Sequence, residues 1–172
     1  QQAVSQAVLI LRHRLPFPLL GLDSDNGSEF INDTLYRYCL AEQITFTRSR
    51  PYRKNDQAHV EQKNWSVVRH TIGYDRLKTA EELELLKSIY EDLRLYVNFF
   101  QPVLKLVGKE QVNGKTIKRY DQPATPFQRV LASDLIAPEV KANLINLYAH
   151  LNPVALRNSI DQKVARLWKI DR

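Results

Sequence analysis

Two carboxylates raise the chemical question. Asp25 stands in LDSDNGSEF, residues 22 to 30, at the end of a short apolar run, and Glu61 stands in HVEQKNW. Thirty-five residues, 26 to 60, separate them. Carboxylates from a strand end and a neighbouring helix are hard oxygen ligands of the kind Mg²⁺ prefers, with waters and phosphate oxygens completing its shell. Two such ions about 3.5 to 4 Å apart provide what phosphodiester cleavage needs: an activated water or 3′-hydroxyl, and help for the departing oxyanion. Taken alone, Asp25 reads equally well as an Asx-type cap on its own Asn26-Gly27 turn. Asp23, two residues earlier on the same strand face, is a rival ligand or a hydrogen-bond partner for the turn. Glu29 reads as a solvated residue at the entry to the next helix.

Positive charge crowds the second carboxylate. Between residues 48 and 76, seven Arg and Lys stand against Asp56, Glu61 and Asp75, a local excess of four. Such a cluster is a solvated surface in many proteins. Here the loop RSRPYRKNDQ runs directly into the segment carrying Glu61, where phosphate contacts would be wanted. The expected DNA contacts are Arg48, Arg50, Arg53, Lys54, Lys63 and Asn64, with Tyr52 stacking on a splayed base. His59 reads as a helix-start or phosphate hydrogen bond rather than a ligand, and the other histidines lack ligand spacing.

The elements that must position these groups follow from periodicity. Residues 3 to 13 predict a helix with Val4, Val8, Leu9 and Leu11 on or near one side. Leu19 to Leu22 predicts a buried strand after Pro16 and Pro18, and Ile31 to about Gln43 a helix. Ile44 to Thr47 is β-branched and aromatic, a second strand. From Ala58, the residues Glu61, Asn64, Trp65 and Val68 share a helix face, with Trp65 facing the core. Thr79 is the expected N-cap of a long helix through Leu83, Leu86, Ile89, Leu93 and Val97. Alternating strand and helix predicts an α/β layer.

Beyond Pro102 the character changes. Residues 105 to 122 are basic, with an Asn113-Gly114 turn signal that reads as a linker or exposed hairpin. Thr125-Pro126, Pro138 and Asn152-Pro153 open three further helices, the last carrying Leu156, Ile160, Val164, Leu167 and a packed Trp168. The expected organisation is residues 1–102, then the basic segment 103–124, then a helical tail 125–172.

Composition narrows the class. The 172 residues carry a net charge of +6 with a pI near 9.5, which suits a polyanionic partner. No apolar run reaches the roughly 18 residues of a membrane span, so no membrane role is expected. The single cysteine, Cys39, excludes an internal disulfide and a thiolate zinc site, and its helical position reads as buried and inert. A reducing, cytosolic setting follows. The chain contains no Met, which leads us to expect a piece of a longer protein.

DNGSEF, the basic segment RSRPYRKNDQAHVEQKN, and the TPFQRVLAS and LNPVAL blocks together give a specific pattern over nearly the whole chain. It resembles the retroviral-integrase-like catalytic core of bacterial insertion-sequence transposases, whose signature is two aspartates and a glutamate. The resemblance implies a partial RNase H-like core followed by an all-helical C-terminal tail. It implies metal-dependent DNA strand cleavage and transfer, with Asp25 and Glu61 as catalytic ligands of Mg²⁺ or Mn²⁺, two ions in the complete enzyme. The implied partners are transposon ends and target DNA, with a homo-oligomer in the full-length protein, and the implied location is the bacterial cytoplasm, associated with the nucleoid. The first aspartate of the signature has no counterpart, since no Asp or Glu precedes Asp23. The chain is therefore expected to be inactive alone and to leave a sheet edge open. The alternative is a non-catalytic remnant that binds DNA or a transposase subunit.

Overall fold

The structure is a computed structural model that describes residues 2–24, 33–50 and 64–170. Its contacts divide the chain into two compact units, residues 1–74 and 75–172.

The first unit is built on a parallel strand pair. Helix α1 (Gln2–Arg14) precedes strand β1 (Gly21–Ser24), helix α2 (Asp33–Ala41) follows, and strand β2 (Thr45–Arg48) pairs with β1 in register from Gly21↔Thr45 to Ser24↔Arg48. Val8, Leu35, Cys39 and Ile44 form the core, and Val4, Leu19, Leu22 and Phe46 pack around it. Val4 and Val8 are one turn apart, so α1 buries a narrow stripe. Leu9 and Leu11, expected beside them, are exposed. The strand expected at Leu19 to Leu22 starts two residues later, leaving Leu20 outside it and 76% exposed. Among the described residues this sheet has two strands.

A tight helix end feeds β2. Ile44 N–H donates to Cys39 O at 2.8 Å and Gln43 N–H to Leu40 O at 3.3 Å, the paired bonds of a Schellman motif. Gln43 sits at φ +56°, a conformation glycine adopts without penalty and other residues do not. Ile44 lands in the core next to Cys39, so the motif delivers the first residue ahead of β2 to its packed position. Gln43→Gly is expected to raise stability by about 0.5 kcal/mol, because relief of left-handed strain exceeds the extra entropy of the unfolded chain. Denaturant unfolding checks this. A loss of stability would mean that the Gln43 side chain matters more than its backbone.

Arg12 ties α1 to α2. Its guanidinium donates to the Tyr38 hydroxyl at 3.0 Å and pairs with Glu42 at 2.7 Å. These bonds raise the Arg12 pKa further, and the Arg12 hydrogen bond lowers that of Glu42. Burial pushes the Cys39 thiol up, as expected for a packing residue.

Residues 64–74 do not continue as the α-helix that the spacing of Asn64, Trp65 and Val68 predicts. Asn64–Arg69 is a π-helix, followed by one α-helical turn, α3 (His70–Ile72). The i→i+5 winding advances less per residue than an α-helix, so positions three and four apart no longer overlie one another. Trp65 is accordingly 60% exposed, not packed, and its ring lies 6.0 Å from that of His70. Arg69 stacks over Tyr74 at 5.1 Å.

In the second unit, α4 (Ala80–Phe100) is set by a full capping box. The Thr79 hydroxyl accepts from Glu82 N–H, and the Glu82 carboxylate accepts from the backbone of Thr79 and Lys78. Those two backbone donors hold the Glu82 pKa below the usual carboxylate range. A hairpin follows, β3 (Leu106–Val112) and β4 (Lys115–Tyr120), turned by Asn113 and Gly114 at φ +51° and +76°. Both values are positive, as a two-residue hairpin loop of this kind requires. Thr125 and Gln128 then cap α5 (Pro126–Leu131), with Pro126 at its start. Helices α6 (Pro138–Ala149) and α7 (Pro153–Ile170) complete the unit.

The long helix α4 packs against α7, so the helix read with the N-terminal half makes its contacts with the tail. Ile89, Leu93, Ile160 and Leu167 are buried, while Leu83, expected on the same stripe, is 48% exposed. Asp92 fixes the register of the two helices. Its carboxylate accepts from the Ser159 hydroxyl at 2.7 Å and from Lys163 Nζ at 2.5 Å. Phe99, Phe127 and Tyr148 join α4, α5 and α6 through ring contacts of 4.9 to 6.2 Å.

Candidate functional site

Both sequence segments of interest leave the same edge of the parallel sheet. β1 ends at Ser24, the residue before Asp25, and β2 ends at Arg48, where the basic loop begins. Two hydrogen bonds to one carbonyl hold these two ends together. Ser49 N–H donates to Ser24 O at 3.0 Å and the Ser49 hydroxyl donates to the same oxygen at 3.3 Å. Ser24 and Ser49 are 3% and 5% exposed. The carboxyl ends of adjacent parallel strands are where open α/β sheets present ligand-binding groups, because the loops that follow diverge from a fixed edge.

Alternation along β1 and β2 sorts the side chains. Leu22 and Phe46 pack on the core, and Asp23 and Thr47 point to the other face. There the Thr47 hydroxyl donates to Asp23 Oδ1 at 2.7 Å. Asp23 is thus tied across the sheet to its register partner, and the turn to which a bond is expected lies outside the described residues. The Ser24 hydroxyl is buried and, among the described residues, has no hydrogen-bond partner. A buried hydroxyl without a partner is uncommon and costly.

Of the expected site residues, Arg48, Arg50 and Asn64 are described, and all three are exposed. Arg48 closes β2, Arg50 follows it in the loop, and Asn64 starts the π-helix. Asp25, Tyr52, Arg53, Lys54, Glu61 and Lys63 lie outside the described residues, as do Glu29 and His59. Ser24, Thr47 and Ser49 were not singled out from the sequence. The available signal was the polar pairing at matching strand positions, Asp23 with Thr47 and Ser24 with Arg48 and its neighbour.

The polar side chains described at this edge are Asp23, Ser24, Thr47, Arg48, Ser49 and Arg50. Among the described residues, no group of three or more His, Cys, Asp or Glu side chains could hold a metal ion. Also among them, no helix is long and apolar enough to cross a membrane.

No family model matches the chain, and no solved structure matches it. A protein of Sinorhizobium fredii (strain NBRC 101917 / NGR234), named "Uncharacterized protein y4rM", is 47% identical over 118 residues. The match covers 69% of this chain and 34% of that protein, so the chain spans about a third of the length of the curated relative it matches.

Proposed function

We propose that this chain carries two of the three carboxylates of a retroviral-integrase-like DNA strand-transfer centre, within an insertion-sequence transposase. Asp25 and Glu61 are the residues that would hold Mg²⁺ or Mn²⁺. The bound ions would supply Lewis-acid polarisation of the phosphate and a nucleophile at neutral pH. The chain's own residues do the rest. Ser49 clamps the end of β1 to the end of β2, which fixes the starting points of the DNGSEF and basic segments relative to each other. Asp23 is held by Thr47 at 2.7 Å, so the reading assigns the ligand role in that segment to Asp25. The basic loop gathers DNA by its phosphates.

The observation that supports this reading is the Ser24–Ser49 junction at the carboxyl edge of a parallel strand pair. It joins the origins of the two segments that bear the sequence signature. A parallel α/β unit of this kind is compatible with an RNase H-like core.

DNA binding tests the part of the proposal that needs no metal. In EDTA, affinity for mixed-sequence DNA is expected to fall steeply with salt. Replacing Arg50, Arg53 and Lys54 by Ala is expected to flatten the log–log slope by up to about 2.7, since each neutralised phosphate contributes roughly 0.9. Fluorescence anisotropy titrations at several salt concentrations read this directly. An unchanged slope would show that the loop is a solvated surface.

A further inference from the structure

The β3–β4 hairpin has two chemically different faces. Directly opposed residues in an antiparallel pair share a face, and neighbours along a strand alternate. On one face Arg119 donates to Glu110 at 2.8 Å, beside Ile117 and Val112, with Lys115 opposite Val112 at the turn. That face neutralises its own arginine. On the other face Lys109 stands directly opposite Lys118, next to the opposed pair Gln111 and Thr116. The Gln111 amide donates to the Thr116 hydroxyl at 3.1 Å, which confirms the shared face. Among the described residues neither lysine takes part in an ion pair, and both are exposed.

Like charges placed directly opposite each other weaken a strand pair. An isolated hairpin is marginal already, so this arrangement has to be offset. Part of the offset is at the base. Asp121 accepts two bonds from the Arg129 guanidinium, at 2.6 and 3.2 Å, and one from Lys105 N–H at 2.7 Å. Arg129 also donates to Val103 O at 2.8 Å. These bonds staple the hairpin to α5, and the Arg129 bonds, with the Lys105 N–H, hold the Asp121 carboxyl below its ordinary range. The ribbon beyond the staple is exposed along the whole of β4.

We propose that this ribbon is a DNA-binding arm, laid along a duplex groove with the Lys109–Lys118 face toward the phosphates. Charge complementarity selects the partner: a polyanion turns the opposed lysines from a liability into two phosphate contacts. Shape selects the form. The B-DNA major groove admits a two-stranded β-ribbon, whereas that of A-form RNA is too deep and narrow for side chains to read. Gln111 and Thr116, between the lysines and the turn, supply polar groups for base edges. The arm belongs to the second unit and does not depend on the metal-site reading.

The test uses the full chain in EDTA, where strand cleavage plays no part, with a mixed-sequence duplex DNA as probe. Lys109→Ala with Lys118→Ala is expected to lower the salt slope by about 1.8, two phosphate contacts. Lys109→Glu is the stricter variant. It places opposite charges face to face, which strengthens the hairpin, yet it should weaken DNA binding. A charge-matched control, Lys141→Ala with Lys169→Ala, should leave the slope nearly unchanged. The proposal is overturned by a wild-type slope in the double variant, by an equal loss in the control, or by duplex RNA bound as tightly as duplex DNA with the same dependence on the lysines. It is also overturned if the hairpin variants change only the oligomeric state.

Discussion

Glu61→Gln, made in the protein translated from its whole reading frame, is expected to remove divalent-ion-dependent strand cleavage by on the order of a thousandfold or more while leaving DNA binding in place. The substitution keeps the size of the side chain and would exchange a charged oxygen ligand for a neutral amide. Two divalent ions bring four positive charges to one small volume, and Asp25 with Glu61 offsets only two of them. Even with the third carboxylate of the proposed centre in place, four positive charges would face three negative ones, so the loss of one more is not absorbed by its neighbours. Binding behaves oppositely. Removing a negative charge beside DNA phosphates holds affinity steady or raises it slightly. The measurement is cleavage of a DNA end with Mg²⁺ or Mn²⁺, alongside anisotropy in EDTA. Cleavage that survives the substitution would remove Glu61 from the centre and the proposed mechanism with it. The same assay on the 172-residue chain should show no cleavage, because a third carboxylate is absent.

The second large effect is structural. Ile89→Ala is expected to destabilise the second unit by about 3 to 4 kcal/mol, which is the range for emptying a buried aliphatic position that cannot collapse. Ile89 is fully buried in a unit where α4 and α7 meet, and Ile160 and Leu167 are 1% exposed. Their register is fixed by the Asp92 bonds to Ser159 and Lys163, so the helices cannot slide to fill the space. Leu83→Ala provides the internal comparison. Leu83 is half exposed, and its loss should cost under about 1 kcal/mol. Equal shifts in denaturant midpoint for the two variants would mean that the helix pair does not pack as described.

Much of the fold was legible because local chemistry agrees with it. Thr79 and Thr125 announce their helices by their capping residues, and Asn113-Gly114 announces a turn that only positive φ values close. Leu156, Ile160, Val164 and Leu167 keep the α-helical period through α7. Where local pattern and winding part company, the reading fails. The spacing of Asn64, Trp65 and Val68 fits an α-helix, but the π-helix rotates Trp65 outward. Leu83 satisfies the period of α4, yet it is 48% exposed one turn from the capped end, where α7 reaches the helix through Arg166 and Glu81. Leu20 is apolar enough for a buried strand, but only its carbonyl joins the pairing, accepting from Thr45 N–H, while its side chain is exposed. At the candidate site, the carboxylate spacing was readable from the sequence. The Ser24–Ser49 junction was not, because a shared carbonyl acceptor between two strand ends leaves no periodic trace. The Asp23–Thr47 bond escaped for a related reason, since it depends on the register of two strands rather than on either one.

Cys39 has a practical consequence. It is the only thiol in 172 residues, it lies 1% exposed in the first core, and burial keeps it in the neutral, unreactive form. An alkylating reagent reaches it only when that core opens, so the labelling rate in native buffer reports the opening equilibrium of residues 1–74 and is silent about the helices beyond. The chain therefore contains an internal clock for one of its two units, readable by mass alone without adding a probe. Comparing that rate with and without added DNA would show whether DNA binding steadies the first unit.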